Sequence, residues 1–130
     1  MNYLDRIREI YDFEVKCFHF LTELGFSKHR PRYVEQGFDE IEYVSENFIF
    51  TIGMHEGRDE NYRRFKDAKT QNELIYPVTA LHFFLPNYES ERDEIAKSIS
   101  EEDAAKKAAL IEVALYKRYP WVLKSPQWVA

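Results

Sequence analysis

The chain lacks the residues and segments on which several classes of protein depend. Cys17 is the single cysteine, so an intramolecular disulfide is excluded. The four glycines are isolated from one another, which argues against a phosphate-binding loop or a dinucleotide fingerprint. No apolar run approaches the roughly 18 residues of a membrane helix, and the charged start of the chain does not resemble a secretory leader. We therefore expect a cytoplasmic protein with no membrane partner.

What is present is ample material for a packed core. The chain has 130 residues, of which 45% are hydrophobic and 16% aromatic. A chain of this size normally forms one domain and buries enough apolar surface without disulfides or metals. The composition predicts a single domain over residues 1–130.

A hairpin between Ile41 and His55 is the clearest local prediction. Ile41 and Tyr43 alternate with polar residues, and after Glu46 the apolar side chains recur at every second position. A period of two places such side chains on one face of a strand. The apolar positions of the second strand are Phe48, Phe50, Ile52 and Met54.

Helices are predicted on both sides of this hairpin. Asn2 to Leu24 carries apolar residues at three-and-four spacing and is followed by Gly25, a typical residue after a helix end. The segment Ser100 to Asp103 resembles a capping box, and the helix that it opens runs to Tyr119. A more polar helix is expected from Glu89 to Ile99.

The fold class follows from the order of these segments. Tyr62 to Lys66 is expected to add a third strand, and Leu74 to Leu85 suits either a strand or a helix, of which we favour a short helix ended by Pro86. Strands grouped before helices favour an α+β fold. We predict an N-terminal helix, an antiparallel meander of two to four strands, and three C-terminal helices packed on the sheet.

The strongest functional signal is an acidic segment. Residues 35–60 hold eight carboxylates and one cation, Arg58, a formal charge of −7, whereas the whole chain carries −5. Such an imbalance attracts a cationic protein partner and repels nucleic acid. We therefore predict a partner-binding surface with aromatic Tyr43 among the carboxylates. The predicted contact residues are Glu35, Asp39, Glu40, Glu42, Tyr43 and Glu46. A solvated acidic strand face is the alternative interpretation.

Signals for an enzyme or a metal site are weak. No two of the four histidines stand at the spacing of a zinc motif, and Cys17 lies inside an aromatic-rich helical pattern, where a cysteine is usually a small apolar residue. The sequence therefore predicts a protein that is not an enzyme and needs no cofactor or metal. A small hydrolase that uses His55 with Glu56 is a third hypothesis, which requires both side chains to converge in a cleft.

The layout of the chain resembles small bacterial immunity proteins, the cytoplasmic antidotes of polymorphic and contact-dependent-inhibition toxin systems. The resemblance lies in "FLTELGF", then "IEYVSENFIFTIGMH", then a helical half that ends in "ALYKRYPWVLKS". It implies a non-enzymatic inhibitor that binds a toxin domain, often a basic nuclease. The acidic segment favours the same function independently. An interaction or regulatory module with a non-toxin partner remains the alternative, and the sequence carries no signal for the oligomeric state.

Overall fold

The computed structural model of the chain describes residues 3–31, 36–55, 60–70, 73–76 and 85–123. Within these ranges the chain forms three α-helices, five strands and two 3₁₀ segments. They are helix α1 (Tyr3–Cys17), a 3₁₀ segment (Phe18–Leu24), strands β1 (Ser27–His29), β2 (Phe38–Val44), β3 (Phe48–His55), β4 (Glu60–Asp67) and β5 (Glu73–Tyr76), helices α2 (Tyr88–Lys97) and α3 (Ala104–Arg118), and a second 3₁₀ segment (Pro120–Leu123).

The N-terminal helix ends as the sequence predicts, although its last turns are tighter. The α-helix gives way after Cys17 to a 3₁₀ segment. Gly25 then adopts a left-handed conformation with φ of 96°, which a residue without a Cβ reaches at no steric cost. The Phe26 amide donates to the carbonyl of Leu21 at 3.1 Å, and the Phe26 ring is buried. This closure matches the αL-type ends common in helices. The predicted N-terminal residue, Asn2, lies outside the described residues.

The predicted hairpin is confirmed and extends into a larger antiparallel meander. Residues 38 to 76 contribute the four strands β2–β5, and the short strand β1 adds a fifth at the edge, in the order β1-β2-β3-β4-β5. Three residues, Ser45 to Asn47, join β2 to β3, and the Ser45 amide donates to the carbonyl of Phe48 at 2.8 Å. The predicted third strand is β4. The four strands β2–β5 agree with the predicted meander, and β1 is a short additional strand whose three residues are too few for a periodic pattern.

One side of the sheet faces the helices. Phe50 lies at its centre, with its ring centroid 5.0 Å from that of Phe65 and 5.3 Å from that of Phe18 in the first 3₁₀ segment. Tyr116 of α3 meets the same ring edge-on at 5.8 Å. The strand register places Ile41 and Tyr43 on this helix-facing side, next to Ile52 and Phe50. We call the opposite side of the sheet the outer side.

The second half of the chain corrects two predictions. Residues 73–76 form β5, so the start of the favoured helix over Leu74–Leu85 is a strand, and residues 77–84 lie outside the described residues. Two α-helices follow the sheet within the described ranges, so the predicted third C-terminal helix is not confirmed. Helix α3 begins at Ala104 rather than after Ser100. Its N-cap is Asp103, whose side chain accepts from the amides of Ala105 and Lys106, which is the usual role of an Asp at this position.

Candidate functional site

The predicted contact residues do not share one surface. Asp39, Glu40, Glu42 and Tyr43 all lie in β2, and Glu46 lies in the turn that follows. Because side chains alternate along a strand, Asp39 and Tyr43 face the helices, whereas Glu40 and Glu42 are on the outer side. The sixth residue, Glu35, lies outside the described residues.

Tyr43 is part of the core. Its side chain has no exposed surface, and its hydroxyl donates to the carbonyl of Val15 at 3.1 Å, which ties β2 to α1. Burial raises the pKa of Tyr43 to about 12. In this conformation no part of the ring is available to a partner, so the predicted aromatic anchor serves packing instead.

Asp39 is neutralised by residues from two other elements. Its carboxylate accepts from Arg8 of α1 at 2.5 Å and from Arg30, beyond β1, at 2.7 Å. Partial burial opposes ionisation, but the hydrogen bond from Arg8 and the charges of both guanidinium groups outweigh it and hold the pKa of Asp39 below its usual value. The charge of Asp39 is therefore already paired with cations from outside the acidic segment.

Glu40 is also paired, on the outer side. It is 6% exposed, its carboxylate lies 3.1 Å from a guanidinium nitrogen of Arg64, and the hydroxyl of Tyr62 donates to it. Burial and this hydrogen bond to a carboxylate raise the pKa of Tyr62, so the phenol stays protonated. Glu40 thus joins β2 to β4 across β3.

The Tyr62 ring rests directly on Gly53 of β3. A Cβ at Gly53 would stand 2.2 Å from a ring carbon of Tyr62, so any other residue would displace the ring. An aromatic ring that covers a strand glycine fills the space that the glycine leaves. Phe38 meets the His55 ring edge-on at 4.2 Å and the Tyr62 ring at 6.1 Å. The sheet face here is an aromatic and ionic cluster, with no free carboxylate in it among the described residues.

Two buried polar atoms on β3 make no hydrogen bond with the described residues. They are the hydroxyl oxygen of Thr51, in a side chain that is 1% exposed, and Nδ1 of His55, in a half-buried side chain. The hydrolase hypothesis needs a carboxylate beside His55. The proposed one, Glu56, lies outside the described residues, and that hypothesis stays a prediction.

The remaining predicted carboxylates are Glu42 and Glu46. Glu42 is half-buried on the outer side, and Glu46 is exposed in the β2–β3 turn. Neither forms an ion pair with a described residue. Between them lies Val44, whose register partner on β3 is Ile49, and both apolar side chains are half-buried. We call these four residues the turn-end patch. Lys66 of β4 borders it beside Ile49.

Sequence reasoning missed a buried ionic triad on the helix-facing side. Arg63 of β4 is 1% exposed and donates to Glu14 of α1 at 2.5 Å and to Glu112 of α3 at 2.9 and 3.2 Å. Its guanidinium lies 5.2 Å from the Phe18 ring centroid, and Asn61 donates to the other oxygen of Glu14 at 2.9 Å. A signal was available in the two helices, because Glu14 and Glu112 stand at helical spacing from buried apolar residues, whereas the pattern of β4 does not single out Arg63.

The triad places two carboxylates around one cation. Burial would lower the pKa of Arg63, but Glu112 and Glu14 together raise it, so the guanidinium stays charged. Burial raises the pKa of Glu112 to about 7, and the charge and hydrogen bonds of Arg63 only partly oppose that shift. A structural role follows, since the triad joins α1, β4 and α3 deep inside the fold.

A metal-binding cluster and a membrane-spanning helix are both absent from the described ranges. No group of three or more histidine, cysteine or acidic side chains is arranged to hold a metal ion among these residues. In the same part of the chain, every helix is too short or too polar to cross a membrane.

Comparison with known proteins does not assign the chain to a family. No protein-family model matches it, and neither a curated protein nor a solved structure matches it at a significant level. The function must therefore be argued from the geometry above.

Proposed function

We propose that this protein is a cytoplasmic immunity protein that neutralises a cationic toxin domain, such as a basic nuclease, by binding it without catalysis. The observation that carries the proposal is the turn-end patch. Arg8, Arg30 and Arg64 pair with the neighbouring acids Asp39 and Glu40, whereas Glu42 and Glu46 stay unpaired within the described part of the chain. The layout resemblance to immunity proteins supports the same function.

The composition of the patch suits a protein interface. Its centre is the apolar pair Val44 and Ile49, and two carboxylates lie beside it. Interfaces commonly combine an apolar centre with a charged rim, and rim charges accelerate the encounter with a partner of opposite sign. The patch is built on two fully paired strands, so it is pre-organised and loses little freedom on binding. The patch is smaller than the surface predicted from the sequence, and it keeps two of the six predicted contact residues, Glu42 and Glu46.

The decisive experiment is co-expression with the product of any neighbouring gene in the host that stops growth when it is expressed alone. We expect the wild-type protein to restore growth, and calorimetry to show an affinity that falls as salt rises. The Glu42→Lys/Glu46→Lys variant should slow association roughly tenfold at low salt and weaken its salt dependence. The matched control is Glu94→Lys/Glu102→Lys, which makes the same charge change at exposed positions outside the patch.

The outcomes separate the proposal from its competitors. If both variants restore growth and associate as fast as the wild type, the turn-end patch is not the contact surface. If no neighbouring gene product is toxic and the protein instead binds a basic partner of another kind, the interaction-module alternative replaces the antidote. Circular dichroism of both variants tests whether a slower association comes from misfolding rather than from the charge change.

A further inference from the structure

A groove of opposite charge lies at the β1 edge of the sheet, on its helix-facing side. It has a volume of about 350 Å³ and runs between α1 and strands β1 and β2. Its floor is apolar and aromatic, formed by Tyr11, Val15 and Ile41. We call it the edge groove.

Cations dominate the rim of the edge groove. Lys16, Lys28 and Arg30 are exposed there, against the single carboxylate of Asp12. Arg30 pairs with Asp39, but neither lysine forms an ion pair with a described residue. An acidic protein therefore carries a local positive surface, and this surface attracts an anionic group.

The groove adjoins an edge strand. Strand β1 pairs with β2 on one side, and within the described residues no strand pairs with its other side. An open edge presents backbone donors and acceptors that can pair with an extended segment of another chain. Lys28 is in register with Tyr43, so its side chain is on the helix-facing side, where the groove lies.

The charges select the occupant. A second copy of β1 would bring Lys28 against Lys28, and lysine on a short edge strand is a common device against self-pairing. An acidic strand has the complementary sign, with carboxylates placed between Lys16 and Lys28. A long polyanion such as nucleic acid has the right sign for the groove but is repelled by the net charge of −5.

We propose that the edge groove is a docking site for an extended, acidic segment of a partner protein, which adds as a strand to the free edge of β1. The site is distinct from the turn-end patch, and its test leaves Glu42 and Glu46 unchanged. Failure here therefore leaves the proposed function standing, and the reverse also holds.

The test is an NMR titration of the full chain with the capped peptide Thr-Glu-Thr-Glu-Thr-Glu at concentrations up to about 1 mM, where weak peptide binding is detectable. We expect the amide resonances of Ser27–His29 to shift and their hydrogen exchange to slow. Lys16→Glu/Lys28→Glu should weaken binding at least tenfold. Lys69→Glu/Lys97→Glu, which makes the same charge change outside the groove, should have little effect.

Three results overturn the proposal. One is the absence of any shift in β1 at the highest concentration. Another is equal binding of the peptide with lysine in place of glutamate, because the groove would then not select charge. The third is tighter binding of single-stranded oligothymidylate, which would identify the groove as a nucleic-acid site instead.

Discussion

Arg63 and Glu112 form a buried ion pair in which the guanidinium donates twice to the carboxylate, at 2.9 and 3.2 Å. Arg63 also donates to Glu14, so a single cation is shared by carboxylates from two helices. Buried charges persist only when they are paired and hydrogen-bonded. The three residues together therefore hold α1 and α3 at fixed positions on the sheet.

Replacement of Arg63 by Met should destabilise the protein by about 3–5 kcal/mol, because two buried carboxylates would lose their cation. Urea unfolding followed by circular dichroism measures the change. The triple variant Glu14→Leu/Arg63→Met/Glu112→Leu serves as the control, since it removes all three charges together. It should recover most of the loss, and a triple variant no more stable than Arg63→Met would show that the charges themselves are not responsible.

The pH dependence of stability should report Glu112. Its pKa is raised from 4.5 to about 7 in the fold, so protonation of Glu112 is easier in the folded than in the unfolded chain. A carboxyl group whose pKa is raised by folding stabilises the protein fully below about pH 4.5, and this contribution is lost as pH rises through 7. The contribution is at most about 3 kcal/mol. Glu112→Gln should therefore flatten the unfolding free energy between pH 5 and 8. Glu94→Gln, at an exposed position, should leave the wild-type slope, and equal slopes in all three proteins would contradict the assignment.

Gly53→Ala should destabilise the protein by about 1–3 kcal/mol, because the added methyl group clashes with the Tyr62 ring. The ring would have to move, and the hydrogen bond from the Tyr62 hydroxyl to Glu40 would be lost. Thermal unfolding of a double-mutant cycle with Tyr62→Ala measures the coupling. In the Tyr62→Ala background the same substitution should cost far less, because nothing covers position 53. A cost independent of residue 62 would place the strain in the backbone instead.

Asp103→Ala should cost about 1 kcal/mol, because the amides of Ala105 and Lys106 lose the carboxylate that accepts their hydrogen bonds. The loss of the Arg6 ion pair adds to this change. Ser100→Ala is the control, and we expect it to destabilise the protein less than Asp103→Ala. If Ser100 were the N-cap residue, Ser100→Ala would be the more destabilising of the two substitutions. Urea midpoints of the two variants decide between the two caps.

The sequence contained enough information for the elements whose patterns are local. A period of two predicted the hairpin of β2 and β3, and Gly25 marked the end of the first helical segment. The α+β class followed from the order of these patterns. The choice for Leu74–Leu85 was wrong at its start, because a short apolar run suits a strand and a helix equally and pairing with β4 decided in favour of β5.

The candidate site depended on contacts that no local pattern contains. From the sequence, residues 35–60 held one cation among eight carboxylates. The tertiary structure brings Arg8, Arg30 and Arg64 from outside that segment onto Asp39 and Glu40, because ion pairs form between residues that are distant along the chain. Strand alternation then buries Tyr43 and leaves Glu42 on the outer side. The sequence by itself determined the periodicities and the net charge, whereas only the fold decided which charges of the described residues are paired and which side of the sheet each one occupies, because both depend on contacts between distant parts of the chain.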